Sequence, residues 1–297
     1  MADAHGNLLA GLTPKDFRIL DNGAEQPITF FVPVDAPAQV LVMMETGPAV
    51  YLIHDQHLAA AYSLLDGLNP DDQVGLVTYD QSPRRILAFT GDKSSLLSAL
   101  SGVDYNLGMG ELNFYGSLLE VLDWLQSMGG KRAIVLLSTG LDSLQPSRWE
   151  SLVDKLRRDD IVIFPIALGG SLRSVSPPKS RSSKKNRSGQ GDASASSQPA
   201  DSPVSFAKAD RDLRALAAMT GGAAYFPQSR DDFVSIYRQI AAALRHQYVL
   251  GFVPSHDGQY HSLSVDLTSA AGHLPGGSRK KVEYRVFARA GYLAPAP

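Results

Sequence analysis

Val40-Leu41-Val42-Met43-Met44, followed at once by Glu45-Thr46-Gly47-Pro48-Ala49, is the stretch that decides the fold. Five consecutive apolar residues without alternation read as a strand covered on both faces. Pro48 stiffens the loop that follows, and Leu58, Ala61, Tyr62, Leu65 and Leu68 then recur on one helical stripe. The pattern returns along the chain: residues 74–79, 133–137 and 161–167 are near-continuous apolar runs, and Leu118, Val121, Leu122 and Leu125 mark a second stripe. Residues 84–89 read as an edge strand entered by a hairpin, and Asp92 as the start of a short helix. Such alternation predicts an α/β fold: a doubly wound, mostly parallel, Rossmann-like sheet with right-handed crossovers.

The chain has 297 residues, 44% hydrophobic and 20% charged, enough to bury a sizeable core. A net charge of -2 supplies no global field to recruit nucleic acid or an anionic membrane. The absence of cysteine excludes disulfides, thiolate nucleophiles and thiolate-bound zinc. No stretch reaches the roughly 18 apolar residues of a membrane helix, and Met1-Ala2-Asp3-Ala4-His5 is not a signal peptide. Residues 3–12 read as a hairpin whose first half is missing, which leads us to expect a trimmed leader.

Three regions are expected. Residues 1–36 form an N-terminal β element: Thr13-Pro14 reads as a cap and first-turn pair, and residues 16–20 and 26–31 flank the hairpin signal Asn22-Gly23. Residues 37–246 form the α/β domain, interrupted at 171–207 by a Ser-, Pro-, Gly- and Ala-rich stretch carrying Arg173, Lys179, Arg181, Lys184, Lys185 and Arg187, expected to be a disordered, solvated insertion. A helix at 210–220, a stop at Gly221-Gly222, a strand at 223–226 and a helix at 231–245 with Phe233, Ile236, Tyr237, Ile240 and Leu244 on one stripe complete it. In residues 247–297, Leu263, Val265 and Leu267, then Val282, Tyr284 and Val286, alternate with polar residues. These strands are expected to join the N-terminal hairpin in a small β subdomain.

Ligands of open parallel sheets sit beyond the carboxyl ends of the strands. That places the candidate site at the loops after Met44 and Leu137 and at the turn Gly108-Met109-Gly110-Glu111-Leu112-Asn113. The core resembles a von Willebrand factor type A domain, and the flanks resemble exported bacterial proteins related to that family and common in acidobacteria. Gly11-Leu12-Thr13-Pro14-Lys15-Asp16-Phe17 and Asp21-Asn22-Gly23 are similar to that group's opening segment. Thr220-Gly221-Gly222-Ala223-Ala224-Tyr225-Phe226, Tyr237-Arg238-Gln239-Ile240, Gln247-Tyr248-Val249-Leu250-Gly251-Phe252 and Arg289-Ala290-Gly291-Tyr292 are similar to its close.

The resemblance implies a metal-ion-dependent adhesion site with Asp, Ser and Ser in the first loop, Thr in the second and Asp in the third. At those positions this chain has Glu45, Gly47 and Ala49, then Leu112, then Thr139. The site is therefore degenerate, and too few oxygens remain for a magnesium-like ion. The function expected is a noncatalytic, adhesion-like module that binds a protein or another macromolecule through Glu45, Thr46, Gly47, Asn113, Thr139 and Asp142, without metal or other cofactor. If a magnesium or calcium ion does bind, Glu45 and Asp142 hold it, and the module is a metal-dependent adhesion domain with rearranged ligands. A hydrolase using the His54 region is a third alternative, with His54, Asp55 and His57 otherwise read as exposed polar residues at a helix start, and a purely structural scaffold for the terminal β subdomain is a fourth. No Gly-x-Ser-x-Gly elbow, Walker loop or dinucleotide loop supports an enzyme. Nucleic-acid partners and a membrane span are not expected, and the resemblance implies a periplasmic or extracellular home.

Overall fold

The computed structural model describes residues 2–3, 12–34, 36–108, 110–144, 146–170, 206–245, 247–268 and 284–297. The hairpin-like opening at 3–12 lies outside these except for Asp3 and Leu12. The insertion expected at 171–207 lies outside them too, except that Phe206 and Ala207 already open a helix. In chain order the strands are β1 (Ala2–Asp3), β2 (Phe17–Asp21), β3 (Ala24–Gln26), β4 (Phe30–Val34), β5 (Ala38–Glu45), β6 (Gln73–Tyr79), β7 (Pro83–Thr90), β8 (Lys131–Ser138), β9 (Val162–Ala167), β10 (Gln247–Gly251), β11 (Tyr260–Leu267), β12 (Tyr284–Arg285) and β13 (Gly291–Leu293). The helices are α1 (Pro48–Tyr51), α2 (His54–Gly67), α3 (Ser94–Ser101), α4 (Phe114–Gln126), α5 (Trp149–Leu156), α6 (Phe206–Thr220) and α7 (Asp232–Arg245).

Five strands form the main sheet in the order β7-β6-β5-β8-β9, parallel except for the edge strand β7. The opening apolar run is its central strand. Successive side chains of a strand point to opposite faces. Val40, Val42 and Met44 therefore pack with α2, α3 and α7 on one side, and Leu41 and Met43 with α4, α5 and α6 on the other. Helices on both faces leave no polar side, which explains the unbroken apolar run.

Helix α2 departs from the expected stripe. It buries His57, Ala60, Ala61, Leu64, Leu65 and Leu68, while Tyr62 is 59% exposed. The small Ala60 is fully buried on the inward face, and the amphipathic Tyr62 ring is left in water. The strand expected at 223–226 reduces to one parallel bridge between Tyr225 and Ile166. Beside it, a Cβ on Gly222 would lie 1.9 Å from the Ile163 carbonyl oxygen, so only glycine lets the chain pass β9 this closely.

The terminal segments do pair. β13, β11, β2 and β3 make an antiparallel sheet, and β4 pairs with β10 in a two-stranded ribbon. The run expected at 26–31 is thus two strands with different partners. Asn22 and Gly23 both have positive φ, 49° and 82°, as the hairpin signal requires. Phe17, Phe31 and Tyr248 join sheet and ribbon, with ring centroids 5.4 to 5.6 Å apart. Within the sheet, the buried His261 ring places Nδ1 2.8 Å from Asp21 and Nε2 3.0 Å from Asp257, and the Tyr292 hydroxyl donates to Asp21 at 3.1 Å. Arg289 fastens this unit to the α/β core by donating to the Leu156 and Arg157 carbonyls. None of the described helices is long and apolar enough to cross a membrane.

Candidate functional site

Three strand ends build the candidate site. β5 ends at Glu45, β6 at Tyr79 and β8 at Ser138, and the parallel register sets Glu45 beside Tyr79. Glu45 is 1% exposed. Its Oε2 accepts the Thr139 backbone N–H and hydroxyl, both at 2.8 Å, and lies 3.3 Å from the Tyr79 hydroxyl and 3.4 Å from that of Ser138. Burial pushes the Glu45 carboxyl above its usual range, and the hydrogen bonds from Thr139, Tyr79 and Ser138 pull the other way. Tyr79 donates to Ser138 Oγ at 2.6 Å, and burial together with the neighbouring Glu45 raises its phenol well above 10.

Thr46 is fully buried, with its backbone N–H and hydroxyl both directed at the Tyr79 carbonyl, 2.9 and 3.2 Å away. Gly47 precedes α1, and a Cβ there would lie 3.2 Å from Glu45 Oε1, so glycine leaves room for the larger carboxylate. Glu45, Thr46, Gly47 and Thr139 are thus brought together, but below the surface. Asn113 and Asp142 sit higher, at the start of α4. Asn113 donates its backbone N–H to Asp80 and its side-chain amide to the Gln81 carbonyl, at 2.8 and 3.0 Å. Asp142 accepts the Tyr115 N–H at 2.8 Å, placing a carboxylate at the positive end of α4.

Few of the positions expected to hold a divalent cation carry a side-chain oxygen. Gly47, Ala49 and Leu112 offer no side-chain oxygen, and the two groups that do, on Glu45 and Thr139, are hydrogen-bonded to each other. A magnesium ion asks for about six oxygens in near-octahedral array. Among the described residues no cluster of three His, Cys, Asp or Glu could hold a metal.

The histidines are not the exposed pair expected at a helix start. His57 is 1% exposed, with Nδ1 2.6 Å from the Tyr237 hydroxyl, and burial depresses its pKa to about 3. His54 Nδ1 lies 2.6 Å from the Tyr105 hydroxyl. Both act as packing between elements, and a ring enclosed like that of His57 has no path to a substrate.

Sequence reading missed Tyr79 and Ser138, although each ends an apolar run beside a predicted loop. It also missed the surface above the buried site, where Tyr51 and Leu52 are 52% and 66% exposed and Leu107 is 57% exposed. The signal was available: apolar residues in loops at the carboxyl end of a parallel sheet, where helix and strand periodicity no longer accounts for them.

A sheet of this order, closed by helices on both faces and carrying its loops at one crest, defines an open, doubly wound α/β architecture. The family model for the von Willebrand factor type A domain matches residues 51–142. A von Willebrand factor type A protein from Catenulispora acidiphila superposes with a TM-score of 0.51 at 11% identity, over 80% of this chain and 52% of that one. The α/β unit therefore has the von Willebrand factor type A fold. An aerotolerance-related membrane protein from Bacteroides fragilis gives 0.48 at 14% identity, over 69% of this chain and 98% of that one. The von Willebrand domain of a type V pilus tip protein from Porphyromonas gingivalis gives 0.49 at 11%, over 71% and 96%. No curated protein matches the sequence.

Proposed function

We propose that this chain is a noncatalytic interaction module whose crest, the loop-bearing edge beyond the carboxyl ends of β5, β6 and β8, binds a macromolecular partner without a bridging cation. The observation that carries this reading is the state of Glu45. Its carboxyl is buried, and one of its two oxygens, Oε2, accepts two hydrogen bonds from Thr139. The contact ties β5 to β8 as a shared ion would, and it needs no ion. The fold supports a binding role, since its loops converge at one edge. The enclosure of His57 argues against hydrolysis in that region. As part of the same proposal, export from the cell rests on the resemblance of the opening and closing segments alone.

The test is capture of a partner from an extract of the native organism, with the purified chain as bait and with EDTA or magnesium in the buffer. Recovery of the same partner in EDTA supports the reading. A partner released by EDTA and restored by magnesium contradicts it.

A further inference from the structure

We propose that the crest recognises a basic, partly apolar peptide segment of a partner protein. This inference rests on the metal-independent reading above and adds the chemistry of the partner. The crest is one knit surface. The Asn106 N–H donates to the Thr46 carbonyl at 2.8 Å, and the Tyr105 ring lies edge-on to Tyr51 at 5.7 Å. Ser143 and Leu144 donate to the Leu112 carbonyl at 2.9 and 3.2 Å, while Asn113 donates to the Asp80 carbonyl at 2.8 Å. The loops after β5, β6 and β8 and the loop before α4 are therefore held together by their own backbones.

On this surface Tyr51, Leu52, Leu107 and Leu144 stand 52%, 66%, 57% and 37% exposed. Apolar side chains held in water on a rigid loop surface are the material of an interface centre. Around them lie the exposed carboxylates of Asp55, Asp104 and Glu111, which make no hydrogen bond or ion pair among the described residues. Arg84, the basic residue at the β6–β7 turn, is already paired with Asp80 at 3.4 Å. Arg148, exposed after β8, makes no hydrogen bond or ion pair among the described residues either, so the unpaired charge of these loops is net negative, three carboxylates against one guanidinium.

That combination selects among partners. Nucleic acid and anionic lipid surfaces present phosphates, which these carboxylates repel. A partner carboxylate would need a bridging cation, and the donors for one are lacking. Lys or Arg side chains flanking apolar residues satisfy both features, because their aliphatic stems cover the apolar patch while their charges reach the carboxylates.

The test uses the full chain and two fluorescent peptides, one of Lys, Leu and Ser and one with Glu in place of every Lys, titrated in EDTA at low salt. The basic peptide is expected to bind and the acidic one not. Affinity should fall about five- to tenfold in the Asp104→Asn/Glu111→Gln variant and in the Leu52→Ser/Leu107→Ser variant. It should be unchanged in Glu25→Gln, an exposed carboxylate on β3 away from the crest. Thermal melts of each variant verify folding, which these exposed positions should leave intact. Equal or tighter binding of the acidic peptide in EDTA, or basic-peptide binding indifferent to the crest variants, overturns the inference alone. Acidic-peptide binding that appears with magnesium and vanishes in EDTA overturns the metal-independent reading beneath it.

Discussion

Glu45 and Thr139 lie 94 residues apart in sequence, yet one carboxylate oxygen of Glu45 accepts both the backbone N–H and the hydroxyl of Thr139 at 2.8 Å. Parallel pairing of β5 with β8 makes this possible, by ending both strands at the same level. The pair closes the crest from within.

Replacing Thr139 with Val keeps its shape and removes one donor to a buried carboxylate. Such a loss costs about 1 to 3 kcal/mol, to be read from urea unfolding at neutral pH. Glu45→Gln should cost less, because an amide oxygen accepts the same donors and no buried charge remains to be desolvated. The pH dependence has a definite sign. A carboxyl whose folded pKa is raised favours the fold at low pH and loses that contribution as pH rises above its usual 4.5 and through the folded value. The Gln variant should lack that slope.

His57 gives the opposite trend. Its folded pKa is depressed to about 3, from the usual 6.5, by burial and by the neighbouring His54. The unfolded chain therefore takes up a proton first as pH falls below 6.5, and stability drops between there and about 3. Against His57→Phe, the wild type should lose roughly 2 to 3 kcal/mol more between pH 6.5 and 4.5. Parallel curves of unfolding free energy against pH would contradict the burial argument.

His261 titrates in the other direction. Both ring nitrogens face carboxylates, Asp257 and Asp21, and only the imidazolium donates to both, so the pKa is raised. The favourable contribution is complete below 6.5 and is lost as pH rises through the folded value. An NMR titration should place this ring above 6.5, and Asp257→Asn should bring it down.

Gly222→Ala should be strongly destabilising, by about 3 kcal/mol or more, because the new methyl meets a backbone carbonyl of β9 that cannot move aside. Chemical denaturation measures it. A near-neutral effect would mean that the chain after α6 does not pass β9 as described.

Much of the fold was legible because its physics is local. Strands buried on both faces produce apolar runs, so 40–44 and its counterparts stood out, and Asn22-Gly23 fixed a hairpin through backbone sterics alone. The rest depended on distant partners. His57 looked like a surface residue because nothing near it in sequence signals Tyr237, 180 residues away. Tyr62 was counted with the core because periodicity weighs an aromatic ring as apolar, whereas α2 turns Ala60 inward. At the site, the residue types at positions 45, 47, 49, 112 and 139 were readable from the sequence. That Glu45 turns inward to Thr139 was not, since the contact depends on strand order and register.

Calorimetric titration of the full chain with magnesium, calcium and manganese, repeated on Glu45→Gln, tests the central claim most directly. The account predicts no saturable heat from any of the three ions for either protein. A saturable isotherm with micromolar affinity in the wild type, absent from Glu45→Gln, would show that this carboxylate leaves Thr139 to grip a cation.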